Sequence, residues 1–259
     1  MAAPLFLLAD KKSSITTLTL NRPDKRNALN VELLQELCDA VSVAEQDPSQ
    51  RILILRGAGS VFCAGLDLNE ATNLDRAHGS AELVSQALRR LSETRLVTIA
   101  SVHGVALAGG AGLMCACDFA VATRDAKFGY PEVHRGLVPG LIMTFLRRQL
   151  RERDVRELLL LGKLFDAERA LALGLINRVV EDEASLAWEI QGITSSLLQG
   201  APDALSNTKK LLAELWHTPV SADLNRALAF HLTARNSNEA SEGIAAFLEK
   251  RAPAWAEKK

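Results

Sequence analysis

The chain has no apolar run approaching the roughly 20 residues that a bilayer-spanning helix needs, so no membrane span is expected. It also has little excess of either charge. A formal net charge of −1 gives no field for general nucleic-acid or anionic-membrane binding, and neither is expected as a partner. The four cysteines (38, 63, 115 and 117) follow no extracellular disulfide pattern. Cys115 and Cys117 sit in an apolar run and read as small core residues. A Cys-x-Cys metal clip would need a second cysteine pair or a histidine-rich tract, and neither exists, so no metal is expected. The first residues, Met1-Ala2-Ala3-Pro4-Leu5, carry no basic leader ahead of an apolar segment. A reducing, cytoplasmic setting is the expectation. Gly-x-Ser-x-Gly, the Walker A motif and Gly-x-Gly-x-x-Gly in its proper context are all missing. So are low-complexity linkers and exact repeats.

What remains is 259 residues with 48% hydrophobic side chains, enough for a sizeable core in one domain, with or without an appendage. Residues 14–20 alternate apolar residues with threonine and predict a strand. Residues 21–27, Asn-Arg-Pro-Asp-Lys-Arg-Asn, are turn formers and charges, hence a loop. Asn30 is placed to cap a helix running to about residue 43, which Asp47-Pro48 ends. Residues 51–56 hold Ile-Leu-Ile-Leu, a strand covered on both faces. Residues 69–78 are polar and read as a mobile loop, and 81–93 as an amphipathic helix. Further strands are expected at 98–102 and 118–122, helices at 154–161 and 166–173, and a short strand at 177–180. From 184 to 250 the chain reads as helical, broken at 200–202 and 217–219. Buried strands alternating with helices predict an α/β fold. In such folds ligands lie beyond the carboxyl ends of the strands.

Two stretches of small residues follow buried strands there. One is Cys63-Ala64-Gly65-Leu66-Asp67-Leu68. The other is Ala106-Leu107-Ala108-Gly109-Gly110-Ala111-Gly112, which runs into an apolar, helix-like segment. Amides at a helix start attract negative charge, and small side chains let them approach a ligand closely. Two backbone N–H groups aimed at a thioester carbonyl would stabilise the enolate formed when a carbon-bound proton leaves. One such donor is worth roughly 3 kcal/mol in a transition state. Either loop alone also reads as an ordinary tight turn, and the pairing of the two is what points to a site. Glu132, after Pro131, is a candidate general base whose pKa an apolar pocket would raise. His134 and Arg135 are expected to face solvent, Asp118 to be a structural acceptor and His103 to be packed. Asp67 and Glu70 lie near the first loop, and Lys25 and Arg26 could meet a phosphate.

From about residue 14 to the C-terminus the chain resembles the crotonase, or enoyl-CoA hydratase/isomerase, superfamily. The resemblance is carried by Asn21-Arg22-Pro23 with residues 25–29, by residues 62–68, by Ala108-Gly109-Gly110 through Cys117-Asp118, and by Phe128-Gly129-Tyr130-Pro131-Glu132. Gly136-Leu137, Pro139-Gly140, Ala170, residues 174–180 and residues 247–251 add to it. It implies a spiral of ββα units over residues 1–195 that carries an acyl-CoA site. It also implies a C-terminal helical trimerisation region over residues 196–259, giving a homotrimer or a homohexamer built as a dimer of trimers. Leu66 and Gly109 would supply the oxyanion amides and Glu132 the acid–base group. Lys25, Arg26, Ala28 and Ala64 would border CoA, with Leu66, Asp67 and Leu68 beside its adenine. Phe247 and Lys250 would reach a neighbour's CoA. CoA would enter on the substrate, and no separate cofactor is implied. One departure matters: family hydratases resembling the mammalian short-chain enzyme carry two glutamates, and the position of the first is Gly112 here. The implied activity is enoyl-CoA hydration in fatty acid metabolism. The alternatives are β,γ-to-α,β isomerisation, 3-methylglutaconyl-CoA hydration, or acyl-CoA binding without catalysis.

Overall fold

The computed structural model describes residues 6–70, 74–215 and 219–255, with the backbone alone over 74–78. Its main sheet has six strands in the order β1-β2-β3-β4-β6-β9. These are β1 (Leu7–Lys12), β2 (Ile15–Leu20), β3 (Ile52–Gly57), β4 (Val97–Val102), β6 (Phe119–Thr123) and β9 (Arg178–Val180). All pairs are parallel except β1 with β2. The Ile-Leu-Ile-Leu run of β3 is covered on both sides, as expected. Successive side chains of a strand point to opposite faces. Leu53 and Leu55 join Leu18, Leu20, Ala100, Val102, Ala120 and Ala122 in the main core. Ile52 joins Ile99 and Val121 on the other face, against Leu186 and Ile190 of helix α7 (Glu183–Gln199). A second, three-stranded sheet runs β5 (Val105–Leu107), β7 (Lys127–Gly129), β8 (Phe165–Asp166).

Helix α1 (Val31–Gln46) starts at the expected cap, where Asn30 Oδ1 accepts from Leu33 N at 3.1 Å. Helix α2 spans Leu74–Glu93 and so begins seven residues before its expected start. The expected polar loop therefore ends before residue 74, and residues 71–73 lie outside the described residues. Helix α3 (Gly109–Cys115) begins at the glycine loop. Helices α4 (Gly140–Gln149), α5 (Glu152–Leu161) and α6 (Ala167–Leu173) follow. Gly162 and Gly174 close α5 and α6 at φ 58° and 82°, the left-handed conformation that favours glycine at a helix end.

The C-terminal region holds α8 (Pro202–Glu214), α9 (Val220–Arg235) and α10 (Asn238–Leu248). The break before α8 is where it was expected, and that at 217–219 falls mostly outside the described residues. A third break was not expected: Ser237 caps α10 by accepting from Ala240 N at 3.1 Å. Helix α9 packs on α2 and α4, and α10 packs on the 3-10 turn Pro131–Arg135. That turn follows β7 and carries Glu132.

Candidate active site

The loop between β3 and α2 is held by a side chain whose role the sequence did not disclose. Asn27, fully buried, donates through Nδ2 to Ala58 O and Val61 O at 2.8 Å and to Phe62 O at 3.1 Å. Its Oδ1 accepts from Arg22 N at 2.9 Å. One amide side chain thus fixes residues 58–62 to the 21–27 turn. Beyond it, Leu66 bridges to Leu29 and Cys63 to Ala106, so the loop joins both the α1 entry and β5.

Glycines then bring the two loops into contact. A Cβ on Gly110 would lie 2.5 Å from Cys63 O, and one on Gly65, at φ +94°, would lie 2.9 Å from Ala108 Cβ. Ala108 itself sits at φ 47°, ψ −124° at the mouth of α3, a conformation that a residue with a Cβ adopts only under restraint. The Ala64, Asp67 and Ala108 amides donate to Arg26 O, Leu29 O and Gly129 O. Among the described residues the Leu66 and Gly109 amides have no turn, loop or cap acceptor. The two free N–H groups belong to adjacent backbones: a Cβ built on Gly65 would stand 3.6 Å from Gly109 N.

Glu132 is 7% exposed, which removes the ordinary reading of a solvated loop carboxylate. Burial pushes its pKa up to about 7, against the opposing pull of its own backbone amide and of Arg135. Its Oε2 is buried with no hydrogen-bond partner. A buried carboxyl oxygen without a partner is costly in a protein that needs it only for stability. It suits a group that exchanges a proton.

Glu132, Leu66 and Gly109 meet in the wall of a cavity of about 260 Å³. Lys25, Ala28, Ala64, Asp67, Leu68 and Phe247 line the same cavity. Arg26 and Lys250 are exposed and are not in its wall. Phe247, assigned by resemblance to a neighbour's ligand, borders the pocket of its own chain. Asp67 is bound to Arg22, Nη2 to Oδ2 at 3.0 Å, and also accepts from Asn69. Desolvation, the largest single influence, raises the Asp67 pKa, but these bonds together outweigh it and leave the carboxyl below its ordinary value.

Beside Gly112, a Cβ would meet Ile142 Cγ1 at 3.0 Å and Leu88 Cδ2 at 3.6 Å. The space is walled by apolar side chains. Glu70 accepts from Val31 N at 3.1 Å, at the start of α1. Asp75 falls among the residues whose side chains are not described.

His103 and Asp118 have the structural roles expected of them. His103 Nε2 lies 2.8 Å from Gly59 O, and Asp118 accepts from Thr98 and from Lys209 Nζ. His134 is exposed, as expected. Arg135 is not free in solvent. It lines the cavity with its guanidinium 4.4 Å from the centre of the Phe247 ring. His231 is a cavity residue that sequence reasoning missed. It is buried, its Nδ1 lies 3.1 Å from Val138 O, and its Nε2 has no partner. Burial lowers its pKa, so the ring is neutral at pH 7. A packed histidine some 100 residues from Glu132 carries no local signal of this placement.

The family model described as enoyl-CoA hydratase/isomerase matches residues 10–258. A protein of Thermus thermophilus named as an enoyl-CoA hydratase is 35% identical, covering 94% of this chain and 98% of its own length. The 2,3-dehydroadipyl-CoA hydratase of Escherichia coli is 32% identical, covering 95% of this chain and 97% of its own. Among solved structures, an enoyl-CoA hydratase from Mycobacterium avium superposes with a TM-score of 0.85 at 32% identity, covering 98% of this chain and all of the other.

Proposed function

The chain belongs to the enoyl-CoA hydratase/isomerase family and has the crotonase fold, and on that premise we propose that it forms and re-protonates an enolate of an acyl-CoA thioester, moving a double bond from β,γ to α,β. The apolar wall at Gly112 carries this reading. Water addition in the two-glutamate manner needs a second carboxylate to orient the water, and Ile142 and Leu88 occupy that ground. Among the described cavity residues the only other carboxylate, Asp67, is committed to Arg22.

In the proposed reaction the Glu132 carboxylate removes a proton from C2 of a 3-enoyl thioester. Negative charge moves to the thioester oxygen, which accepts from Leu66 N–H and Gly109 N–H. Protonated Glu132 then delivers a proton to C4 as the double bond settles between C2 and C3. One group serves as base and then as acid, so no net proton is gained or lost. CoA enters as part of the substrate. Lys25, Ala28 and the 66–68 backbone are its expected border within the cavity, with Arg26 and Lys250 available only at the surface.

The names of the relatives favour a second reading, hydration. The test is to give pure protein crotonyl-CoA and, separately, a 3-enoyl-CoA, and to follow the conjugated thioester absorbance. Its appearance from the 3-enoyl thioester, with crotonyl-CoA unchanged, supports isomerisation. Its loss from crotonyl-CoA selects hydration. Binding of both without turnover selects an acyl-CoA-binding protein.

The first step needs ionised Glu132, whose pKa stands at about 7. kcat/KM is therefore expected to rise about tenfold between pH 6 and pH 8 and then level off. A pH profile measured at low substrate concentration checks this.

The chain is further read as a homotrimer or a dimer of trimers through its 196–259 region. Leu211, Leu212 and Leu215 at the end of α8 and Phe230 on α9 stand 54%, 62%, 72% and 65% exposed, apolar area that a monomer seldom leaves uncovered. A solution mass of three or six chains by light scattering is expected, and a monomer would refute it. The four cysteines are all buried and free, which suits a reducing, cytoplasmic compartment. No helix among the described residues is long and apolar enough to cross a membrane.

A further inference from the structure

The cavity wall contains a cation, Arg135, that feels the charge of Glu132 on its own turn but has no carboxylate within ion-pair distance among the described residues. Arg22 and Arg148 each keep only 12% and 10% of the side chain exposed, and both are paired, with Asp67 at 3.0 Å and Asp223 at 2.9 Å. Arg135 is also largely withdrawn from water, yet among the described residues no carboxylate forms an ion pair with it. Its Nη1 donates to Pro131 O at 3.2 Å, and its Nε is buried with no partner. A desolvated guanidinium is costly unless an anion or several acceptors meet it.

The residue is also held firmly in place. A Cβ on Gly136 would lie 2.4 Å from Glu239 C, and one on Gly243 would lie 2.4 Å from Arg135 C. These two glycines let α10 lie directly on the Pro131–Arg135 turn. The same contact brings Phe247 over the guanidinium, so the planar fork is stacked on one face and tethered at one nitrogen. Such preorganisation lowers the cost of binding an anion through the remaining N–H groups.

We infer that Arg135 is the anion receptor of this cavity and binds an anionic oxygen of the ligand. The inference rests on the acyl-CoA reading and deepens it. Two parts of such a ligand carry that chemistry: a second carboxylate on the acyl chain, and the phosphates of CoA. The guanidinium lines the same cavity as Glu132, where the acyl chain would react, and as Lys25, on the expected CoA border.

Binding alone separates the sources and needs no turnover, so a failed catalytic reading would leave the result intact. Calorimetric Kd values are measured for wild type, Arg135→Gln and Arg135→Lys with three saturated thioesters: hexanoyl-CoA, adipoyl-CoA with its free carboxylate, and hexanoyl-pantetheine without phosphates. A receptor for an acyl carboxylate predicts that Arg135→Gln weakens adipoyl-CoA at least tenfold and hexanoyl-CoA less than twofold. A receptor for phosphate predicts equal weakening of the two CoA thioesters and none for hexanoyl-pantetheine. Either way Arg135→Lys, which keeps the charge and loses the fork, should fall between. Changes below twofold for all three ligands, equal losses for all three, or no binding to wild type would each overturn the inference.

Discussion

Glu132→Gln is expected to lower kcat by about 10²- to 10⁴-fold while leaving thioester binding nearly unchanged, the range for losing a general acid–base group. The side chains are close in shape, and Oε2 has no hydrogen bond to break. The same substitution carries a stability signature. The folded pKa of about 7 lies above the ordinary value of 4.5, so native protein prefers the protonated group. That preference stabilises the fold fully below pH 4.5 and fades as pH rises through about 7. Glutamine stays neutral throughout. At pH 8 the variant should therefore be more stable than wild type by up to about 3 kcal/mol, and near pH 4 the two should agree. Urea unfolding at both pH values, with steady-state rates, checks both halves. A catalytically dead variant that is also destabilised at pH 8 would mean Glu132 is a structural hydrogen-bonding residue.

Gly110→Ala is the second large effect. The new methyl would meet Cys63 O at 2.5 Å and Cys63 Cβ and Sγ at 2.7 Å, so the two loops must part. Those loops carry the Leu66 and Gly109 amides. Displacing one oxyanion donor costs roughly 3 kcal/mol of transition-state stabilisation, or 10²- to 10³-fold in kcat. A destabilisation of about 1–3 kcal/mol should accompany it, as for other overpacked core sites. Gly192 on α7 is the control: a Cβ there meets nothing within 4 Å. Gly192→Ala should keep full activity and add about 0.5–1 kcal/mol of stability. Equal activity of wild type and Gly110→Ala would remove the paired loops from the chemistry.

The parts of the fold written in side-chain pattern were legible. The apolar runs of β2, β3, β4 and β6 and the cap at Asn30 declare themselves locally. Strand β1 was not, because its Ala-Asp-Lys-Lys stretch is exposed and its place is fixed by backbone pairing to β2. The second sheet has strands of three, three and two residues, too short to show a period. Helix α4 follows Pro139 with no side-chain cap, so nothing in the sequence marks its start.

The site divides the same way. The glycines around residues 65 and 110 signal close backbone approach because no other residue fits there. That Glu132 is buried, and that Arg135 lies over Phe247 and is only partly exposed, depends on α10 closing over the turn about 110 residues later in the chain. Asn27 looked like one more turn former among many. Its amide has three carbonyl acceptors only because β3 and its loop return to it.

The central claim is that one buried carboxyl group carries the proton from C2 to C4. It is tested most directly with 3-hexenoyl-CoA deuterated at C2, converted in ordinary water and examined by NMR. The account predicts 2-hexenoyl-CoA with part of the deuterium transferred to C4, the part that buried Glu132 returns before it exchanges with solvent. A 3-hydroxyacyl product, or a 2-enoyl product with only solvent hydrogen delivered to C4, would contradict it.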